Sequence, residues 1–342
     1  MFIKTGCIVV TYVDDAVILG RDQAAIDSVL SGLKRLKLDY EHLGDLASYL
    51  GVEIKRHEDG SMELKQPHLT SIAIAAMGLD DSNSKPTPAS QTLGKCPDEP
   101  KFHDDFNYRS VIGTMMYIGN HSRLDCAFAI HQCARFSADP REPHGEALKR
   151  LGRYLQGTRD RGLILRPSRD LKLDLHVDAD FAGLWGAEVA TDPASTRSRT
   201  GYLLTLGNAA VLWASRLQTL ICCSTMESEY VAASTGMRAL VPMRRKLLKI
   251  CEMLELPIPE SSRVSTVWED NRAALQLATA DPPRMTPRSK SLAVHYHWFR
   301  AHLVKGEIEM EVVASRNNWA DILTKSLTPQ EIERARKSIM GW

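Results

Sequence analysis

The sequence predicts a mixed α/β fold: a mixed sheet flanked by helices, preceded by a helical segment and a hairpin-rich unit. Three observations lead there. From about Leu171 onward, alternating apolar runs and helical spacings follow one another as three strands, helix, strand, two helices, strand, helix. From Tyr108 to about Thr158 the apolar residues instead recur at three- and four-residue spacing. Residues 6–20 place β-branched runs on either side of a two-acid turn, which reads as a hairpin.

Each element has its own local reason. In residues 22–37, DQAAIDSVLSGLKRLK, one helical face carries Ile26, Val29, Leu30, Leu33 and Leu36, and Asp22 is placed as N-cap. ASYLGVEIKRHEDGSMELKQ reads as a hairpin through EDG, and QPHLTSIAIAAMGL as a short helix. Residues 80–100 are polar and proline-rich, as in a linker or an extended crossing segment. YRSVIGTMMYIGN and PREPHGEALKRLGRYLQGT are helical. LKLDLHVDADFAG alternates as a strand does, and RTGYLLTLGNAAVLWASRLQTLICCS gives two strands joined at Gly207 and Asn208. A long helix follows from Met226, then strand and helix in VSTVWEDNRAALQLAT, then the strand GEIEMEVVAS. Thr328, Pro329 and Glu331 form a capping box with proline in the first helical position of the last helix. Pro242 falls inside the long helix, where it removes a hydrogen bond and costs about 3 kcal/mol or forces a kink. Trp213 and Trp268 are expected to pack against the sheet.

Composition narrows the class. The 342 residues suffice for two or three domains, and 44% hydrophobic with 25% charged residues is the profile of a soluble globular chain. A net charge of +1 excludes a global basic field, so any nucleic-acid binding must come from local patches. No apolar run approaches the ~18–20 residues of a membrane helix. Acids follow the opening apolar stretch at once, and no signal peptide is predicted. Seven cysteines without a CxxC pair favour a reducing compartment and no structural zinc site.

Four carboxylates of the second half stand where a strand hands over to a helix or a helix begins: Asp178, Glu227, Asp270 and Asp321. Such positions can converge at one edge of an α/β sheet. Converging acids raise one another's pKa unless cations neutralise them. Hard divalent cations with oxygen ligands do this, Mg²⁺ first and Mn²⁺ as a substitute. Two ions held ~3.5–4 Å apart can activate water and stabilise the leaving oxygen in phosphodiester cleavage. A lone acid at a strand end is more often a turn or cap residue; the set points to a metal site.

The words around these acids, VDADFAG, SRTGYLLTLGNAAVLWASRLQTLICCSTMESEYVAAS, WEDNRAALQLA and NNWADILTK, resemble in this order the ribonuclease H domain of copia-type retrotransposon Pol polyproteins. YLGVEI, YRSVIGTMMYI and SRLDCAFAIHQCARFSADPREPHGEALKRLGRYLQGT resemble the segment that joins reverse transcriptase to ribonuclease H, and YVDDAVIL the reverse transcriptase hairpin. The resemblance implies a truncated palm and thumb remnant over residues 1–79, a linker over 80–105, a helical connection over 106–168 and a ribonuclease H-like domain over 169–342. It places the metal-binding acids on Asp178, Glu227, Asp270 and Asp321, with Glu229 as the local alternative to Glu227 and Asp180 as a neighbour. Asp14 and Asp15 become a polymerase remnant. The opening MFIKTGCIVVTYV holds no third acid, so templated synthesis by this chain alone is not expected. In RSKSLAVHYHWF, Ser291 and Ala293 stand where the family usually has a His and an acid, while His297 is kept; His295 and His297 read as helix surface and helix packing. EVATDP reads as a surface insertion.

An RNA–DNA hybrid is read through its backbone and 2′-hydroxyls. Arg199, Arg238, Arg244, Arg245, Lys246, Arg288 and Lys290 are the candidate contacts, against the alternative of a solvated basic face. The activity implied is Mg²⁺-dependent cleavage of the RNA strand, leaving 3′-hydroxyl and 5′-phosphate ends. The alternative is a decayed or domesticated fragment that binds nucleic acid without catalysis. Implied partners are the hybrid and the upstream polyprotein or a second chain, with no membrane. The family's life cycle implies cytoplasmic particles and then the nucleus.

Overall fold

The computed structural model describes residues 2–103, 106–280, 290, 292 and 297–342. It opens with an antiparallel sheet of β1 (Phe2–Lys4), β2 (Cys7–Tyr12) and β3 (Asp15–Gly20). Tyr12 pairs with Asp15, so Val13 and Asp14 form the turn. Val13 adopts φ 52°, an unusual conformation for a β-branched residue. In α1 (Gln23–Arg35) the Asp22 carboxylate accepts from Ala25 N–H at 2.9 Å, the predicted cap. No residue of α1 is fully buried, so its apolar stripe covers the hairpin only in part.

The second sheet joins distant parts of the chain. β4 (Ser48–Tyr49), β5 (Val52–Arg56) and β6 (Met62–Lys65) include the predicted hairpin through Asp59 and Gly60. Gly60 has φ +83°, and the Asp59 carboxylate accepts from Ser61 N–H at 2.9 Å. β7 (Leu163–Leu165), which was not expected, completes this sheet against β6 with Leu163 opposite Leu64.

Four helices build the first core: α2 (Pro67–Ala76), α3 (Tyr108–His121), α4 (Ala127–Ala134) and α5 (Glu142–Gln156). Ile74, Leu93, Phe102, Met115, Ile130 and Leu151 meet in it. Residues 80–103 therefore run as the extended crossing segment rather than as a free linker, and the expected boundary at 79/80 cuts through packed side chains.

The second half is a five-stranded mixed sheet in the order β10-β9-β8-β11-β12. β8 (Leu173–Asp180), β9 (Arg199–Leu206) and β10 (Ala209–Leu217) are antiparallel; β11 (Ser265–Glu269) and β12 (Ile308–Val312) continue parallel to β8. α6 (Thr225–Met253) lies on one face, where Gly236 lets it approach β8: a Cβ there would sit 3.0 Å from Leu175 and Val177. α6 runs through Pro242 without a break. Pro242 is exposed, so water can hydrate the Arg238 carbonyl that it leaves unbonded. α7 (Arg272–Thr279) and α8 (Arg300–Val304) flank the same sheet, and α9 (Pro329–Ile339) starts on the predicted capping box.

The other sheet face is covered by the middle helices. Leu203, Ala210, Trp213, Ile322 and Leu323 pack with Leu124 and Ala127 and with Ile332 and Ile339 of α9. Trp213 Nε1 donates to the Gly119 carbonyl at 2.8 Å. The EVATDP stretch is not a loose surface insertion. Glu188 is buried, pairs with Arg135 at 2.7 Å and accepts from Lys95 N–H at 2.9 Å.

Candidate metal centre

The site forms where the sheet changes direction. β8 has an antiparallel neighbour on one side and the parallel β11 on the other, so the carboxyl ends of β8 and β11 lie together. Asp178 is near the end of β8, and Asp270 directly follows β11. The first turns of α6 cross this edge and bring down Glu229. Asp178, Glu229 and Asp270 each offer a carboxylate oxygen, all within 4.8 Å of one another.

Glu227, the expected second acid, is not in this cluster. Ser224 caps α6, its hydroxyl accepts from Glu227 N–H at 3.2 Å, and the Glu227 carboxylate turns back to accept from Cys223 N–H at 2.7 Å. Two residues turn a helix by about 200°, so Glu227 and Glu229 face nearly opposite ways. Ser224 followed three residues later by Glu227 is a capping-box spacing, the sequence signal that could have assigned Glu227 to the cap and left Glu229 for the site.

Asp321 stands beside the cluster on a 3₁₀ turn, Trp319–Leu323. Asn318 holds that turn to β8 by donating to the Val177 carbonyl at 2.7 Å, one residue before Asp178. Thr324 donates its hydroxyl to Asp178 Oδ2. Lys325 Nζ lies 3.1 Å from Asp321 Oδ1. Gly201, paired with Asp178 across β8 and β9, makes room for the turn: a Cβ there would meet Thr324 Cγ2 at 2.7 Å and Leu323 Cβ at 2.9 Å.

Burial and mutual repulsion dominate the electrostatics. Burial first, then Glu269, Asp178 and Asp270, push Glu229 up to about 11. Glu269, fully buried beside Asp270 and absent from the expected site, is pushed up to about 8, chiefly by burial. Asp321 rises to about 7 through burial and the Asp178 charge. Asp178 is also raised by burial, although Lys325 and the Thr324 hydroxyl act against the rise. Burial disfavours the Lys325 charge, but Asp178 and Asp321 outweigh it and raise its pKa. Glu229 Oε2 and Glu269 Oε2 are buried with no hydrogen-bond partner. Crowded acids with undonated buried oxygens fit a hard, oxygen-ligated divalent cation. Asp178, Glu229 and Asp270 would hold it, with Asp321 at its side.

The basic candidates separate. Arg199 is buried: it donates to Ser215 Oγ at 3.0 Å and lies over the Phe128 ring, so it is a core residue and not a phosphate contact. Arg244 is half-buried and donates to the Ser262 carbonyl at 3.2 Å and to the Arg263 carbonyl, bracing the loop before β11. Arg238, Arg245, Lys246 and Lys290 are exposed. Arg288, Ser291, Ala293 and His295 lie outside the described residues. His297 shares a hydrogen bond with the Tyr230 hydroxyl, a packing role. Asp14 and Asp15 are exposed on the first hairpin, outside the acid cluster.

A mixed sheet in this order, with acids gathered at the ends of its parallel strands, is a ribonuclease H-like mixed α/β fold. A family model for reverse transcriptase (RNA-dependent DNA polymerase) matches residues 1–91. The chain is 30% identical over 319 residues to the retrovirus-related Pol polyprotein from transposon RE2 of Arabidopsis thaliana, covering 93% of this chain and 20% of that protein. It is 28% identical over 340 residues to the Pol polyprotein from transposon TNT 1-94 of Nicotiana tabacum, covering 97% of this chain and 24% of that one. The chain belongs to the copia-type retrotransposon Pol family and spans about a fifth to a quarter of these relatives. Among solved structures, the N-terminal RNase H domain of a Mycobacterium tuberculosis protein, fused to maltose binding protein, aligns with 49% of this chain and 98% of its own at 14% identity and TM-score 0.30. Among the described residues no helix is long and apolar enough to cross a membrane.

Proposed function

We propose that the chain cleaves the RNA strand of RNA–DNA hybrids at the Asp178–Glu229–Asp270 centre. The observation that carries this reading is the convergence of three carboxylate oxygens within 4.8 Å, beside Asp321. A bound divalent cation, Mg²⁺ or Mn²⁺, supplies Lewis-acid stabilisation of charge on phosphate oxygens and lowers the pKa of water. The protein's own work is to gather the carboxylates at one point and hold them in place. Thr324 orients Asp178, Asn318 holds the Asp321 turn on β8, and Lys325 offsets the surplus negative charge. The exposed Arg238, Arg245, Lys246 and Lys290 would contact the hybrid backbone, whose affinity would fall with salt.

The test is cleavage of an end-labelled hybrid with Mg²⁺ by the wild-type chain and by Asp178→Asn. Loss of cleavage in the variant with hybrid binding retained is expected. Equal cleavage by both would remove the assignment. Salt-dependent binding without cleavage at any Mg²⁺ or Mn²⁺ concentration would replace it with the non-catalytic alternative.

A further inference from the structure

The crossing segment between α2 and α3 encloses a cavity that the metal centre does not use. Residues 85–93 pass over α4 and α5 and leave a half-open space of about 390 Å³. Pro88, Ala89 and Ala147 give it an apolar lining, and Lys85, Arg150 and Arg153 a cationic one. Arg150 donates one N–H to Thr87 Oγ1 at 2.7 Å, while its Nε is buried with no acceptor. Among the described residues no carboxylate pairs with the side chains of these three cations. Among the described residues one acid lines the cavity, Glu146, and it lies 3.3 Å from Lys149.

Three like charges around one partly enclosed space repel one another unless an anion joins them. Two guanidinium groups offer the forked donors that match phosphate oxygens. The apolar lining suits a sugar and base, and the volume lies at the small end of ligand pockets. We propose that this cavity binds a nucleoside phosphate, either free or as the phosphorylated end of a strand. The proposal stands apart from hybrid cleavage and does not depend on it.

The test uses the full 342-residue chain in EDTA at fixed ionic strength, with binding measured by calorimetry. The probes are inorganic phosphate, a nucleoside 5′-monophosphate, and a short oligonucleotide with and without a 5′-phosphate. The expected result is that the mononucleotide, or the oligonucleotide only when 5′-phosphorylated, binds the wild type, and that Arg150→Gln and Arg153→Gln weaken it about tenfold or more. The mononucleotide result identifies a free ligand, and the oligonucleotide result a strand end. Arg150→Lys should restore part of the affinity, and Lys34→Gln, exposed on α1 and outside the cavity lining, should change nothing. Should an arginine variant fail to fold, Lys85→Gln on the crossing segment gives the same readout. Binding that ignores all three cavity substitutions, no binding at millimolar probe, or phosphate binding with no gain from the nucleoside would each overturn the proposal.

Discussion

Glu229 is the residue on which the site turns. It reaches Asp178 and Asp270 from a helix face that Glu227 cannot share, because Glu227 is occupied with the α6 cap. Glu229→Gln is therefore expected to reduce hybrid cleavage by roughly 100-fold or more. Glu227→Gln should leave cleavage within about threefold and cost up to about 1 kcal/mol of stability through the weakened cap. Single-turnover rates of the two variants decide this, and the opposite ranking would return the role to Glu227. The same crowding sets a pH dependence. Asp321 is pushed up to about 7, Glu269 to about 8 and Glu229 to about 11. These groups hold protons in the folded chain that the unfolded chain releases above about pH 4–4.5. The native state then binds more protons than the unfolded one, and stability falls as pH rises. The fall runs from about pH 4.5 until Asp321 ionises near 7 and Glu269 near 8, with Glu229 extending it further. Thermal midpoints in EDTA should be lower at pH 8 than at pH 5.5, and Mg²⁺ should recover most of the difference at pH 8. A midpoint in EDTA that is equal or higher at pH 8 would contradict the crowded, buried acids.

At the scale of elements, the site depends on how closely a short 3₁₀ turn can lie against β9. Gly201 has no side chain where a methyl group would meet Thr324, Leu323 and the Ala320 carbonyl. Gly201→Ala should push the turn outward, cost about 1–3 kcal/mol and loosen the hold of Thr324 on Asp178. Cleavage should drop together with the unfolding midpoint; a variant with both unchanged would show that the turn is not clamped there. The strands and caps of this region were legible in the sequence because their signals are local. Alternation predicted β8, the break at Gly207 and Asn208 separated β9 from β10, and the Thr328–Glu331 box marked the start of α9. The strand-end positions of Asp178 and Asp270 were legible, the first near the end of β8 and the second directly after β11. Glu269 was not, because the alternation of β11 does not say that its side chain meets other acids. Arg199 looked like a surface cation because nothing nearby in sequence reveals that Phe128, on α4, lies beneath it. β7 was hidden because three residues carry no periodicity and its partner β6 lies far back in the chain.

At the scale of the whole molecule, the ribonuclease H-like half is finished by the helices that precede it. One face of its sheet buries Trp213, Leu203 and Ala210 against Leu124 and Ala127 rather than against its own segment alone. A buried network fixes α9 to the same helices. Arg123 donates to both Asp125 oxygens at 3.0 and 2.8 Å, Tyr154 donates to Asp125 at 2.5 Å, and Arg336 of α9 donates to Tyr154 Oη at 3.1 Å. Arg336 also lies over the Trp342 ring, whose Nε1 donates to the Gly162 carbonyl at 2.6 Å. By contrast, residues 2–45 bury only Gly6, Cys7 and Ile8 and meet the rest chiefly through Gly6 N–H to the Met253 carbonyl, 2.8 Å, and the Arg21–Glu255 pair. Two truncations should then behave in opposite ways. A chain of residues 46–342 is expected to stay soluble and to unfold within a few degrees of the full chain, since an exposed ion pair adds little. Residues 169–342 alone would expose the Trp213 face and leave Arg336 without Tyr154. An uncovered apolar patch of that kind drives association, so this fragment should aggregate or unfold at a much lower temperature. Thermal melts and size-exclusion profiles of the two fragments check the prediction, and a monomeric 169–342 fragment as stable as the full chain would show that the sheet needs no cover from the connection.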